Sequence, residues 1–315
     1  MLIEPGGVVS TGGRFVASAL DVPNDAFMKG GALTFANGGD GAVVNMGKIG
    51  SSGGDVFLIA RSKVSNEGTI SAPKGTAELA ADSQVMLQDS ASSRQVFVDA
   101  GSGGTVSNAG AINAAQVNLQ AADGNVYALA GNHSAIRATG TTTRDGHVWF
   151  VADKGHVQIH NSVAATNADG SGGTVHSNGT TMNIGNSTVN AGQWNIAVPV
   201  SYTIDQTTAN ALSASMNKGT AIEFKTTGST ASLVLNGTIE WNSVAALTLA
   251  AGRNLGMTKT GALRNTSVGD IVLRADSGGI NNGGSVVTLG TLDWSQSMGT
   301  VSVLFDMNGN WTPGV

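Results

Sequence analysis

The sequence contains no cysteine. This absence excludes disulfide bonds, thiolate metal sites and a cysteine nucleophile. It is typical of cytosolic proteins and equally of exported bacterial proteins, so cysteine usage does not select a compartment. Proline is rare as well, with 5 residues in 315, and aromatic residues make up 5% of the chain. A collagen-like or proline-rich disordered polymer is therefore excluded.

Charge is scarce too. Charged residues account for 12% of the sequence, the net charge is -5, and there is no basic run. Because nucleic acids and anionic lipids attract clustered Lys and Arg side chains, we expect no nucleic-acid partner. No apolar run reaches the roughly 18 to 20 residues that a membrane-spanning helix needs, so we do not expect an integral membrane protein. The first residues, MLIEPGGVVSTGG, lack the basic and apolar regions of a signal peptide.

What the sequence does contain is 45 glycines and a repeat of about 21 residues. In each repeat an asparagine is followed two residues later by a glycine and two residues after that by an isoleucine. The three copies are Asn45, Gly47 and Ile49, then Asn66, Gly68 and Ile70, then Asn108, Gly110 and Ile112. A period of about 20 residues is typical of solenoids.

Within each repeat the apolar residues alternate with a period of two, which indicates β-strands. Val56, Leu58 and Ala60 share one face in this way, and glycine-rich turns such as GSSGGD and AADGN separate the runs. We therefore predict an all-β fold, a parallel β-helix with coils of about 20 residues and two or three strands in each coil.

The repeated asparagines have two interpretations. Asn45, Asn66 and Asn108 either hydrogen-bond to one another up and down the stack, or each stabilises a local turn. The member expected near residue 87 is missing, so we predict an irregular coil there that carries QDSASSR as a loop.

The pattern becomes less regular along the chain. We predict that residues 1–165 form one part of the β-helix and that residues 166–315 continue it. A helix near residues 207–218 is expected to pack on it, since Asp205 or Thr207 can cap this helix and Gly219 can end it. In VFLIA, VYALA and VWFVA both strand faces are apolar, with Tyr127 and Leu129 among the outward residues, so we expect another segment to cover the outer face.

The stretch VVSTGGRFVASALDVPNDAFMKGGALTF, with VVNMGKI and VSNEGTISAPKGTAELAA after it, resembles the haemagglutination-activity region of two-partner secretion exoproteins, the filamentous haemagglutinin-like family. The resemblance implies a right-handed parallel β-helix, recognised by a dedicated outer-membrane transporter and continued by an adhesin filament. It also implies an N-terminal truncation, with the signal peptide and the first part of the secretion domain lying before Met1. Pro5 and Gly7 correspond to an Asn-Pro-Asn-Gly type turn of the family, whereas Glu4 and Gly6 replace its asparagines.

Acidic residues are scattered along the sequence. Asp145, Asp153 and Asp169, with Arg144 and Lys154, come nearest to the clustered carboxylates of a β-helix polysaccharide lyase or hydrolase, but their turn positions explain them equally well. We therefore expect no catalysis and no cofactor.

Histidines suggest a metal site only weakly. His156 and His160 lie four residues apart on one face of a strand, with His147 and His176 in nearby coils. No acidic residue stands in fixed register with them, so we expect no metal site.

These observations favour a structural and adhesive function. We predict a secreted or cell-surface segment of a two-partner secretion exoprotein from a Gram-negative bacterium, with a role in biofilm formation and virulence. Its Ser, Thr, Asn and Gly side chains are expected to make weak, multivalent contacts with host or biofilm glycans or proteins. The alternatives are a cytolysin or toxin-delivery stalk of the same family and a β-helix polysaccharide lyase or hydrolase.

Overall fold

The computed structural model describes residues 1–29, 32–87, 96–98, 103–129, 135–279, 283–307 and 310–313. The chain divides into two compact units, Met1–Gly179 and Thr180–Val315. The boundary predicted at residues 165 and 166 lies inside the first unit. Short strands dominate both units, in agreement with the predicted all-β fold.

Strands are numbered in chain order. Those up to the division are β1 (Leu2–Ile3), β2 (Val8–Thr11), β3 (Phe15–Ser18), β4 (Leu33–Ala36), β5 (Ala42–Asn45), β6 (Lys48–Ser51), β7 (Val56–Ala60), β8 (Lys63–Asn66), β9 (Thr69–Ala81), β10 (Gln84–Leu87), β11 (Val96–Val98), β12 (Thr105–Asn108), β13 (Ala111–Gln120), β14 (Asn125–Ala128), β15 (Ile136–Ala138), β16 (His147–Ile159), β17 (Asn161–Ala165) and β18 (Thr174–Asn183). The later ones are β19 (Ser187–Asn190), β20 (Gln193–Val198), β21 (Tyr202–Ile204), β22 (Ala221–Thr226), β23 (Leu233–Leu235), β24 (Thr238–Trp241), β25 (Leu247–Ala250), β26 (Leu255–Met257), β27 (Ala262–Asn265), β28 (Ile271–Arg274), β29 (Val286–Thr288), β30 (Thr291–Asp293), β31 (Val301–Met307) and β32 (Asn310–Pro313).

The first unit is a parallel β-helix with three faces, as the sequence predicts. Face A consists of β1, β5, β8, β12, β14 and the end of β16. Face B consists of β2, β6, the first parts of β9 and β13, then β15 and β17. Face C consists of β3, β7, the second parts of β9 and β13 and the first part of β16. Each coil therefore contributes one strand to each face.

The interior consists of columns of identical or similar side chains. On face A, Val43, Val64, Val106, Val126 and Val157 are successive strand partners and are at most 1% exposed. Burial of one such side chain contributes roughly 1.5 to 3 kcal/mol, and β-branched residues suit the extended backbone. The period-two pattern of the sequence is thus the division between inward and outward positions.

A second, antiparallel sheet of β4, β10 and β11 covers the outer surface of face C. Leu33, Phe35, Val85 and Leu87 form one buried cluster with side chains of face C, namely Phe57, Ile59 and Ala80. The expected cover over VFLIA is confirmed by this cluster, whereas the outward Tyr127 and Leu129 of VYALA are partly exposed.

The same sheet corrects one prediction. An irregular coil was expected near residue 87, but Asn66 pairs directly with Asn108, so no coil lies between them. After β9 the chain leaves the β-helix, because Val85 and Leu87 of β10 bury their side chains on the apolar outer surface of face C. The segment QDSASSR itself lies outside the described residues.

The second unit has its own parallel ladders. One contains β20, β22, β25, β28 and β31, another β21, β23, β26 and β29, and a third β24, β27 and β30. Inside it the side chains of Trp194, Phe224 and Trp241 are at most 1% exposed. The indole Nε1 of Trp241 donates a hydrogen bond of 2.9 Å to the carbonyl oxygen of Ala245, which satisfies its buried donor.

Two helices accompany the strands among the described residues. Helix α1 (Asn24–Lys29) was not expected from the sequence. Helix α2 (Gln206–Met216) is the predicted one, and the Asp205 side chain caps it by accepting a hydrogen bond of 2.8 Å from the Thr208 amide. Ala209, Leu212 and Met216 are fully buried, so this side of the helix faces the strands.

We predict that Gly68→Ala destabilises the protein by roughly 2 to 3 kcal/mol, because its Cβ would overlap the carbonyl oxygen of Gly47 in the coil below. The matched control is Gly50→Ala, whose Cβ would lie 3.9 Å from the carbonyl oxygen of Val9. This control should be neutral or slightly stabilising. Urea unfolding of both variants measures the difference, and equal midpoints would contradict the stacking at this corner.

Candidate functional site

The residues predicted to resemble a secretion motif lie in the turn between β1 and β2. The Gly7 amide donates a hydrogen bond of 2.9 Å to the carbonyl oxygen of Glu4, and Gly6 has a left-handed φ of 84°. Pro5 is exposed. The turn therefore offers Pro5 to solvent while Gly7 begins a stacked column.

That column occupies the corner between faces A and B. A Cβ on Gly47 would overlap the carbonyl oxygen of Gly7, one on Gly68 that of Gly47, and one on Gly110 that of Gly68. None of Gly47, Gly68 and Gly110 has a positive φ. Close backbone approach between coils, and not an unusual backbone conformation, therefore requires glycine here.

Beside the glycines the three repeated asparagines form a buried ladder. The Nδ2 atom of Asn45 donates to Oδ1 of Asn66 at 2.7 Å, and Nδ2 of Asn66 donates to Oδ1 of Asn108 at 2.6 Å. At the ends, Oδ1 of Asn45 accepts from the Gly47 amide at 3.1 Å, and Nδ2 of Asn108 donates to the Gly110 carbonyl at 2.9 Å. All three side chains are 0% exposed. Since an unsatisfied buried amide costs roughly 1 to 3 kcal/mol, the ladder holds adjacent coils in register.

A charged cluster joins distant coils at the entrance to face C. Asp55 lies between Arg14 and Arg144, whose nitrogens approach its two carboxylate oxygens at 3.0 Å and 2.9 Å. The Thr76 amide donates a further hydrogen bond of 2.9 Å to Asp55, and Arg144 donates one of 2.8 Å to the Thr76 hydroxyl. The Arg14 guanidinium also lies 5.3 Å from the centre of the Phe57 ring.

The sequence pattern did not lead us to predict a role for Asp55 or Arg14. A signal was present, because the turns GGR at residues 12–14 and GGD at residues 53–55 stand in the same register, one coil apart. Arg144 was instead grouped with the nearby acidic residues, although its side chain pairs with Asp55, 89 residues earlier.

The predicted acidic residues are dispersed, since Asp145 and Asp169 lie in loops and Asp153 lies within strand β16. Asp145 and Asp169 line a cavity of about 420 Å³ together with Thr141, Thr142, Asn167 and Ala168. Hydrogen bonds from the hydroxyl and amide of Ser171 hold the pKa of Asp169 below its usual value. Asp153 is exposed elsewhere, and Nζ of Lys154 lies 3.1 Å from Asp123. The ionised form of Asp169 that these hydrogen bonds favour is unsuited to a general acid.

The four histidines considered as metal ligands form two groups. His147 stacks on Trp149 with ring centres 3.8 Å apart, and the His176 ring lies 4.8 Å from His147. His156 and His160 point outward from face A with Gln158 between them, where Nε2 of Gln158 lies 3.1 Å from Nε2 of His160. Four residues of strand span roughly 13 Å, so His156 and His160 cannot share one metal ion.

Within the described ranges, no three His, Asp or Glu side chains are grouped so that they could hold a metal ion. No helix in the described part of the chain is long and apolar enough to cross a membrane.

No protein-family model matches the sequence, and comparison with curated proteins finds no match. Among solved structures, the chain is similar to the crystal structure of the HMW1 secretion domain from Haemophilus influenzae. The two are 18% identical, the alignment covers 93% of this chain and 77% of that chain, and the TM-score is 0.49. The assignment of a parallel β-helix rests on the strand pairing described above and not on this similarity.

We predict that Asp55→Ala destabilises the first unit by about 2 to 4 kcal/mol, because two partly buried arginines lose their shared counterion. Asp40→Ala is the matched control, since the Asp40 side chain is 85% exposed and lies 3.8 Å from Arg61. An exposed pair of this kind contributes only about 0 to 1 kcal/mol. Chemical denaturation compares the two, and equal losses would show that the cluster has no structural role.

We predict that the free energy of unfolding decreases as the pH is lowered, and that His147 accounts for part of this decrease. Burial, with a contribution from nearby His176, lowers the pKa of His147 to about 3. The unfolded chain binds this proton near pH 6.5, so the stabilisation is complete above that pH and is lost as the pH falls towards 3. The difference in free energy of unfolding between the wild type and His147→Gln should change by up to about 1.4 kcal/mol per pH unit between pH 6 and 4. Parallel stability curves for the two proteins would contradict this assignment.

Proposed function

We propose that this chain is a structural and adhesive segment of a secreted two-partner secretion exoprotein. In this proposal an outer-membrane transporter exports it, and it is displayed at the bacterial surface or released. Its ligands are host or biofilm glycans or proteins. The support is the β-helix together with the resemblance of residues 8–81 to the haemagglutination-activity region.

The observation that carries the adhesive part is the contrast between inward and outward columns. Inward positions of face A repeat valine, whereas outward positions of faces A and B carry small polar side chains in register. Thr105 pairs with Asn125, and Ser71 pairs with Asn113, and all four side chains are at least partly exposed. Because neighbouring strands lie about 4.8 Å apart, such columns repeat the same weak hydrogen-bonding group at a fixed spacing. Repetition of weak sites favours multivalent attachment.

The proposal includes no catalytic step. Asp145 and Asp169 are exposed turn residues, and the hydrogen bonds to Asp169 favour its ionised form. An ionised carboxylate that is already bonded to Ser171 is a poor general acid.

We predict that beads carrying the folded chain adhere to epithelial cells or to extracted biofilm matrix, and that adhesion rises more steeply than in proportion to surface density. Multivalent binding produces this dependence, since linked weak sites gain about 100-fold or more in apparent affinity. Flow-cell detachment measures it, with beads carrying the heat-unfolded chain as the control.

Three results would argue against the proposal. Adhesion that is absent, or equal for the folded and unfolded chains, removes the adhesive role. Turnover of a polysaccharide that is lost in Asp145→Asn or Asp169→Asn indicates an enzyme instead. Equal release of a signal-peptide fusion from cells with and without a two-partner secretion transporter removes the transporter as a partner.

A further inference from the structure

An aromatic and polar surface lies on face A of the first unit, on the outward side of three adjacent strands. Its first column is Ser107, Tyr127 and Gln158, which are direct strand partners on β12, β14 and β16. The neighbouring outward positions on the same strands are Thr105, Asn125 and His156. We call these six residues the tyrosine platform.

Contacts within the tyrosine platform hold its side chains in place. The rings of Tyr127 and His156 have centres 6.1 Å apart and are tilted by 53°. Oδ1 of Asn125 accepts a hydrogen bond of 3.0 Å from the His156 amide. Nε2 of Gln158 also lies 3.1 Å from Nε2 of His160, which lies next to the platform. The arrangement is therefore an ordered surface on paired strands and not a set of loop residues.

Tyr127 lies at an outward position of strand β14, and its ring is only partly buried. Within the described residues its hydroxyl has no hydrogen-bond partner. The other tyrosine of the sequence differs, since the Tyr202 hydroxyl bonds to the Met182 carbonyl at 3.2 Å. Tyr127 thus combines a partly exposed ring with a hydroxyl that a ligand can engage.

The tyrosine platform carries no Asp, Glu, Lys or Arg. Burial lowers the pKa of His156, so its imidazole is neutral at pH 7. Lys154, two residues before His156, is paired with Asp123. The platform itself is therefore uncharged, with the exposed Lys63, the strand partner of Thr105, at its edge, and it offers hydroxyl, amide and imidazole groups around an aromatic ring.

Neutral pyranose sugars have the complementary chemistry. One side of the ring presents C–H groups that pack on an aromatic face, while the hydroxyls at the rim exchange hydrogen bonds with amides and hydroxyls. Three strands span about 10 Å and two residues along a strand span about 7 Å, which is close to the footprint of a disaccharide. We propose that the tyrosine platform binds uncharged oligosaccharides, with Tyr127 as the stacking residue and Gln158 and Ser107 as hydrogen-bonding residues. This inference rests on the proposed adhesive function and names a ligand class and a site for it.

Saturation-transfer NMR with cellobiose, lactose and N-acetyllactosamine tests the site, with sialyllactose as the charged comparison. At least one neutral disaccharide should bind more tightly than sialyllactose. Tyr127→Ala should weaken that binding by about tenfold, which corresponds to about 1.4 kcal/mol of lost packing. Tyr127→Phe keeps the ring and should retain most of the affinity. Phe27→Ala, which removes a 60% exposed ring on helix α1, is the matched control and should bind as the wild type does, and thermal melts of all variants check folding.

Equal binding by the wild type and a folded Tyr127→Ala variant would overturn the proposal. So would a preference for sialyllactose, or the absence of binding by every neutral sugar. The adhesion assay separates this inference from the proposed function. If Tyr127→Ala beads adhere fully and no sugar binds to the wild type, the proposed binding at the tyrosine platform is wrong and the adhesive role stands. If sugar binds at Tyr127 but the beads do not adhere, the platform stands and the adhesive role fails.

Discussion

The close approach of successive coils at the corner between faces A and B is the constraint on which the first unit depends. Backbone carbonyls there lie so near the next coil that glycine alone fits at Gly47, Gly68 and Gly110. A buried corner also leaves polar groups away from water, and the Asn45, Asn66 and Asn108 amides satisfy them within the stack. Register at this corner sets the register of all three faces, because a slip of one residue would turn every inward side chain outward.

Features that repeat or that carry a local signal could be predicted from the sequence, whereas contacts between single distant residues could not. The Asn and Gly spacing and the period-two pattern indicate coils and strands, since each coil meets the same physical requirement as the last. Helix α2 occurs once, but Asp205 as its cap and Gly219 after its end gave a local signal for it. The pairing of Asp55 with Arg144 joins residues 89 positions apart. No local pattern predicts such a contact, because it depends on how many coils lie between its partners.

The antiparallel sheet over face C shows how an exception to the repeat arises. Phe57 and Ile59 place large apolar side chains at outward positions, which is unfavourable on an open sheet surface. Leu33 and Phe35 of β4 and Val85 and Leu87 of β10 come from segments that leave the stack and cover them. The apolar outward residues were recognisable in the sequence as a surface that needs a cover. The identity of the cover was not, because β10 has the same alternation as a coil strand.

These requirements restrict the inward and corner positions and leave the outward positions of faces A and B free to carry function. Val126 and Val157 must fill the interior whatever the molecule binds. The side chains of their neighbours Tyr127 and Gln158 point away from that interior, although the backbones of these two residues pair. A change at an outward position therefore alters the surface at little cost in stability, while the coil spacing still sets the distance between successive side chains. A β-helix of this kind fixes the geometry of a binding surface separately from its chemistry, so the few unusual outward residues, and not the repeated ones, are where specificity should be sought.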